Sequence, residues 1–509
     1  MIARRSALVF AANVMGALLG YVGLFALARL IPNSDELIGL VAFGLGFVGS
    51  FFVLTGLGVP TAHIKRISQG EPLERCVGTY AVLKILQVSL ATGGTLLALY
   101  VWTEVMGRGF ETPLHLRVIF AMLLYYVILS TSAIANTTFN ARLETAKSQM
   151  SHFVGTAVRV VGMVIVAIAG LGALALAWAY IIGVIAMASI ALFLFRHYPI
   201  ARPRLDLVRS YLKFALPLSI PVALTGLSAN IDKVVIQLFW SAAEVGYYFA
   251  AQRVVLLLTV ITSAVSLLLF PSISRYHARN ELDMLRTKAN QAERYLSMIL
   301  APIAAFLLVY PEGVIHVLLS DTFLPAADVL RLFSAALYVS ALIVPRRAIL
   351  QGMDRPDLVG LASLAGALIT LALYFILVPT SILGLPLASL GPVGAAGSVL
   401  IGYAVVLTLA LLFSRRLVGD RLQKRIALHI GAAAAVGLLF LQLLAPALGL
   451  DWRWFHLLAF GGAFLGAYLV VLALVREFRK PDLLLFFDIL DPRKMARYVR
   501  DELRNRDER

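Results

Sequence analysis

Five basic residues stand inside long apolar stretches of this sequence: Arg29, Lys84, Arg159, Lys233 and Arg253. Burying an ionisable side chain in lipid costs at least about 2.5–3.5 kcal/mol, so such groups pair, reach for the interface or face water. Asp232, with Glu312 near the end of a stretch, is the negative charge at comparable depth. A surplus of positive charge in an apolar interior is the chemistry of anion binding. Guanidinium groups offer paired donors to phosphate oxygens, and lysine adds a mobile point charge. Arg346 and Arg347 follow Pro345 where they would meet an anion at the cytoplasmic mouth, unless they only anchor the helix end. Each position has a structural alternative. Asp232 could bind a coupling ion or pair with Arg253, Lys84 could snorkel to the interface, and Arg29 could cap its helix.

Other chemistries find little support. Cys76 is the single cysteine and no Cys/His spacing of the zinc type occurs, so no metal or other cofactor is expected. The eight histidines are scattered, with His152 and His316 closest to apolar segments. Asp35 and Glu36 are the one pair of acids with a catalytic look, but Ser34-Asp35-Glu36 stands directly before an apolar run, where such residues cap helix amides.

The elements that position these bases follow from composition. Of 509 residues 60% are hydrophobic and 14% charged, which excludes a water-soluble globular enzyme. A membrane helix needs about 20 apolar residues. About fourteen such stretches run between residues 6 and 475, so the fold class is an all-α polytopic membrane protein. The net charge of +16 would suit a nucleic-acid partner if the bases were clustered. Instead most of the 44 Lys and Arg fall in alternate loops, which the positive-inside rule reads as topology. Both termini are then cytoplasmic, in an inner or cytoplasmic membrane, with lipids rather than nucleic acid as surroundings. The longest outer loop, 103–116, is too short for a catalytic domain. Residues 275–294 show apolar positions at helical spacing among bases, which predicts a surface-lying amphipathic helix, and 481–509 predicts another followed by disorder.

An internal repeat organises the chain. A helix end, a polar turn with an acid and a glycine, and a new helix occur at Glu36 and Gly39 and again at Glu244 and Gly246. Same-orientation copies predict two six-helix lobes, 1–195 and 214–413, joined by a cytoplasmic link at 196–213 and followed by two helices within 414–475 and a tail at 476–509. The stretch from Tyr211 to His277 holds a KFALP helix start, the Asp232-Lys233 pair, an EVGYY turn and a helix ending in FPSISR. With ARLIPNSDELIG and GLGVPTAHIKR in the first half, it resembles the polysaccharide-flippase branch of the multidrug/oligosaccharidyl-lipid/polysaccharide (MOP) transporters. That resemblance implies two lobes rocking about a central cavity bordered by segments 1, 2, 7 and 8. It also implies translocation of a polyprenyl-pyrophosphate-linked glycan for a cell-surface polysaccharide such as O-antigen or exopolysaccharide, alongside a polymerase or other assembly proteins. A cation-coupled drug exporter of the same superfamily would carry intramembrane acids instead. A polytopic glycosyltransferase or ligase on the same carriers would have to rest on Asp35 and Glu36.

Overall fold

The computed structural model describes residues 2–107, 109–444 and 453–477, which are helical almost throughout. Lipid forces this outcome, because backbone amides buried in hydrocarbon must be satisfied within their own segment. Among the described residues thirteen helices are long and apolar enough to cross a membrane, and the apolar run Val14–Leu30 of the first helix precedes them. Arg108 and the tail beyond 477 lie outside the described residues.

The first bundle comprises α1 (Ile2–Leu30), α2 (Ser34–Phe52), α3 (Val59–Ser68), α4 (Leu73–Tyr100), α5 (Leu114–Ala141), α6 (Thr145–Ile168) and α7 (Ala173–Phe195). The second comprises α8 (Leu205–Phe239), α9 (Ala242–Ala278), α10 (Leu282–Val309), the short α11 (Pro311–Leu318), α12 (Ala327–Gly352), α13 (Pro356–Leu377) and α14 (Gly391–Val418). Helices α15 (Lys424–Leu439) and α16 (Trp454–Leu474) then pack on α10. A two-stranded hairpin pairing Ile382 with Leu385 follows α13. Pro217 and Pro221 in α8, Pro302 in α10 and Pro345 in α12 all lie inside helices.

Of the link expected at 196–213, residues 196–204 join α7 to α8 and the remainder forms the first turns of α8, ahead of its apolar span Ser219–Phe239. One expectation is corrected. Residues 275–294 are no surface helix: α9 runs to Ala278 and α10 starts at Leu282. The apolar positions Leu285 and Ala289 are buried against Ile273, Ile349 and Val418, so that amphipathic stripe is satisfied by protein rather than lipid.

The repeat turns meet each other. A Cβ added at Gly39 would lie 1.7 Å from the Ala242 carbonyl oxygen, and one added at Gly246 would lie 2.1 Å from that of Asp35. Only glycine allows backbones this close, and the Tyr247 hydroxyl adds a hydrogen bond to Asp35 Oδ2 at 2.9 Å. The two copies are capped differently. Ser241 Oγ accepts from the Glu244 amide, whereas α2 starts after Asn33 in the left-handed conformation with no side-chain cap, so the predicted capping by Ser34, Asp35 and Glu36 is absent.

The last two helices are pinned by one carboxylate. Arg294 donates to Glu477 Oε1 at 2.5 Å, and Arg425 donates to both of its oxygens at 2.9 and 3.0 Å. Burial alone would push the Glu477 carboxyl up, but the two arginines outweigh it and hold it below its ordinary value.

Two outcomes are expected. Gly39→Ala overpacks the inter-bundle contact and lowers stability by about 1–3 kcal/mol in thermal unfolding of the detergent-solubilised protein. Gly93→Ala, with nothing within 4 Å of its added Cβ, does not. Because the folded pKa of Glu477 is depressed, its contribution is fully present above the ordinary carboxylate pKa and is lost as pH falls through the folded value. Melting of wild type should therefore drop more steeply than that of Glu477→Gln over this acidic range.

Candidate functional site

A cavity of about 530 Å³ lies between the bundles, lined from α1, α2, α5, α6 and α7 on one side and from α8, α9, α12 and α14 on the other. Three of the five predicted bases are on its wall: Arg159 from α6, Lys233 from α8 and Arg253 from α9. Among the described residues no Asp or Glu lines this section. The Arg159 guanidinium sits 5.2 Å from the Tyr180 ring centre and that of Arg253 4.6 Å from the Phe249 ring centre. An aromatic face holds a cation without neutralising it, so both keep their charge for a ligand.

Lys233 is more constrained. Its Nζ donates to Asp232 Oδ1 at 2.8 Å, while Tyr248 donates its hydroxyl to Asp232 Oδ2 at 2.8 Å. Asp232 is 1% exposed and borders a second chamber rather than the space between the bundles. The alternative pairing of Asp232 with Arg253 is therefore not the one formed. The aspartate is consumed by its sequence neighbour, and Arg253 is left without an acid.

The other predicted bases are elsewhere. Arg29 does not line the cavity. It bridges the bundles, donating to the carbonyls of His316 and Val317 at 2.5 Å each at the end of α11, while Tyr21 donates to that of Leu318 at 2.9 Å. A cation at a helix C-terminus meets the negative end of the dipole, but the helix is α11 rather than its own. Lys84 neither lines the cavity nor snorkels. It is 3% exposed and donates to the Thr55 carbonyl at 2.7 Å, in the 3₁₀ turn Val53–Gly56 that breaks α2 from α3. Glu312 pairs with Arg331 on the surface.

Arg346 and Arg347 do not act together at a mouth. Arg346 is 1% exposed, paired with Glu293 and, at 3.2 Å, with Asp420, and so ties α10, α12 and the turn after α14. Successive helix positions point about 100° apart. Arg347 accordingly faces the second chamber, of about 420 Å³, which shares Ala229, Gln252, Ser340, Val399 and Tyr403 with the first.

Sequence reasoning missed the neutral polar lining. Tyr21, Tyr125, Tyr126, Tyr180, Asn230, Gln252 and Tyr403 all reach the cavity. Asn230 and Gln252 adjoin residues already singled out, and amides inside apolar helices are a usable signal. Of the glycines of α1, Gly23 packs on Met163, whereas Gly16 and Gly20 line the cavity with nothing within 4 Å of an added Cβ.

Two helical bundles long and apolar enough to cross a membrane enclose a cationic cavity, the architecture of a polytopic membrane protein with an internal binding space. The family model described as "Polysaccharide biosynthesis protein" matches residues 26–328, more than half of the chain, and the chain belongs to that family. It is 22% identical over 409 residues to the probable low-salt glycan biosynthesis flippase Agl15 of Haloferax volcanii, covering 79% of this chain and 81% of that protein. Among solved structures, the lipid II flippase MurJ in an inward closed conformation aligns with a TM-score of 0.72 at 13% identity, over 92% of this chain and 99% of that one. An inward-facing multidrug resistance MATE family transporter of the MOP superfamily aligns with a TM-score of 0.65 at 14% identity, over 79% and 94%. The fold is therefore that of the MOP superfamily.

The buried Arg346 cluster predicts a large effect from a change far from the cavity bases. Arg346→Met leaves Glu293, 0% exposed, without its cation and should cost about 3–5 kcal/mol in chemical or thermal unfolding. Adding Glu293→Gln should return a good part of that loss.

Proposed function

We propose that this protein is a flippase for a polyprenyl-pyrophosphate-linked oligosaccharide, carrying it from the cytoplasmic to the outer leaflet by alternating access of the two bundles. The observation that carries the reading is the acid-free interbundle cavity with Arg159, Lys233 and Arg253 on its wall. A cavity of this polarity attracts a pyrophosphate and repels cationic drugs, which disfavours the drug-exporter alternative. The family, the glycan flippase relative and the flippase among the fold neighbours support the same cargo class.

The state described supports a cavity facing inward. The Gly39–Gly246 contact, the Tyr247–Asp35 bond and the Arg29 and Tyr21 bonds to α11 together close one end. The basic links 65–75, 142–147, 196–204 and 415–425 lie at the other ends of these helices, and the positive-inside rule makes that side cytoplasmic. Transport then requires the outer seal to open while the cytoplasmic side closes, with Asp232 available to respond through its contacts with Lys233 and Tyr248. Assembly proteins that polymerise the glycan would receive the cargo outside.

The test is binding of a polyprenyl pyrophosphate-linked sugar to the protein in lipid nanodiscs at one fixed salt concentration. Arg159→Ala, Lys233→Ala and Arg253→Ala should each weaken binding about tenfold or more, the effect of losing one charge-assisted contact of about 1.5 kcal/mol. Arg29→Ala and Lys84→Ala should leave affinity unchanged. Unaltered binding in all three cavity variants would refute the cationic site.

A further inference from the structure

The second chamber differs in chemistry from the first, with which it shares part of its wall. It lies wholly within the second bundle, between α8, α9, α12, α13 and α14. Hydroxyl groups dominate its polar lining, among them Thr225, Ser363, Thr370 and Tyr403, with the amide of Gln252 and the carboxylate of Asp232 beside them. Several of these hydroxyls give their proton to their own helix, as Thr225 does to Pro221 and Thr370 to Gly366. A hydroxyl that has donated its proton in this way keeps only acceptor capacity. Acceptors, an amide and aromatic edges in one concave site form the usual surface for a sugar, whose hydroxyls both donate and accept. A volume of about 420 Å³ falls in the range of small-molecule sites.

One base stands on this wall. Arg347 is exposed to the chamber beside Tyr403 and forms no ion pair with a carboxylate among the described residues. The acid nearest at hand, Asp232, is held by Lys233 and Tyr248. The chamber wall thus holds one carboxylate, already engaged by Lys233 and Tyr248, and one guanidinium that no carboxylate answers, so an anionic group on whatever enters finds its partner at Arg347.

We propose that the chamber inside the second bundle is the subsite for the cargo's sugar, and that Arg347 makes it prefer a sugar bearing a carboxylate. This rests on the flippase reading, with the pyrophosphate held between the bundles by Arg159, Lys233 and Arg253. Tyr403, Gln252 and Ser340 belong to both spaces and mark the passage through which a sugar attached to that phosphate extends. Selectivity is thereby separated from carrier binding: the carrier is read where the bundles meet, and the glycan is read within one bundle. A phosphate is the other anion Arg347 would accept, and the two sources are separable.

Polyprenyl pyrophosphates carrying no sugar, one glucose or one glucuronic acid are titrated against wild type, Arg347→Gln and Arg347→Lys in nanodiscs. Wild type should bind the glucuronic acid lipid about tenfold more tightly than the glucose lipid. Arg347→Gln should lose that preference while binding the sugar-free lipid as wild type does, and Arg347→Lys, which keeps the charge, should retain most of it. Equal binding of the two sugar lipids by wild type overturns the proposal. So does a parallel loss on all three ligands in Arg347→Gln, which would make Arg347 a phosphate ligand. Failure of wild type to bind any of the three would instead bring down the flippase reading on which the proposal depends.

Discussion

The cost of leaving a charge uncompensated in an apolar medium sorts the bases of this protein into distinct roles. Lys84 is resolved by a backbone carbonyl in the break between α2 and α3. Arg29 is resolved by the carbonyl end of α11, and Arg346 by two buried carboxylates. Lys233 is half resolved, since it shares Asp232 with Tyr248 while still reaching the cavity. Among the described residues Arg159, Arg253 and Arg347 receive no carboxylate, and the aromatic rings under the first two stabilise them without cancelling their charge. A protein can tolerate such groups only beside water, which is why they coincide with the cavities.

The same economy governs the seal at the closed end. The repeated turn places a glycine at the start of α2 and of α9, and the two copies approach until backbone meets backbone. In the second copy Ser241 caps α9 by accepting from the Glu244 amide, whereas in the first Asp35 lies within the opening turn of α2 and accepts from Tyr247 across the contact. A duplicated motif has thus become two unequal halves of one interface. Contacts of this kind are individually modest, as the proposed alternating access would require of a surface that separates and re-forms.

Within the second bundle the charges act oppositely, as permanent fasteners. Arg346 with Glu293 and Asp420 joins three elements, and Glu477 with Arg294 and Arg425 holds α15 and α16 on α10. Packed aromatic groups, including Tyr310, Phe440, Phe460 and Phe464, fill the same junction. The extra pair of helices is consequently part of the second bundle's body, and any motion between bundles carries it along.

Hydropathy alone established the membrane class and about fourteen apolar segments, of which thirteen among the described residues are helices long enough to cross and Val14–Leu30 is a shorter run, because the bilayer leaves long apolar runs one backbone solution. It also singled out the residues that matter electrostatically, since any base inside such a run is anomalous by type. Which of those bases faces water was not legible. Arg346 and Arg347 are neighbours in sequence, yet one is a buried fastener and the other lines a chamber, and only the rotation of α12 against α10 and α14 separates them. The stripe of Leu285 and Ala289 shows the same limit, for an apolar face fits lipid and protein equally well until its neighbours are placed. Asp232 had two bases within plausible reach, and the geometry of α8 gave it to the adjacent one. Sequence determined which charges needed an answer, and tertiary structure decided what each answer was, because a counter-charge, a free carbonyl or a water-filled space is supplied by other helices and exists only once they have packed.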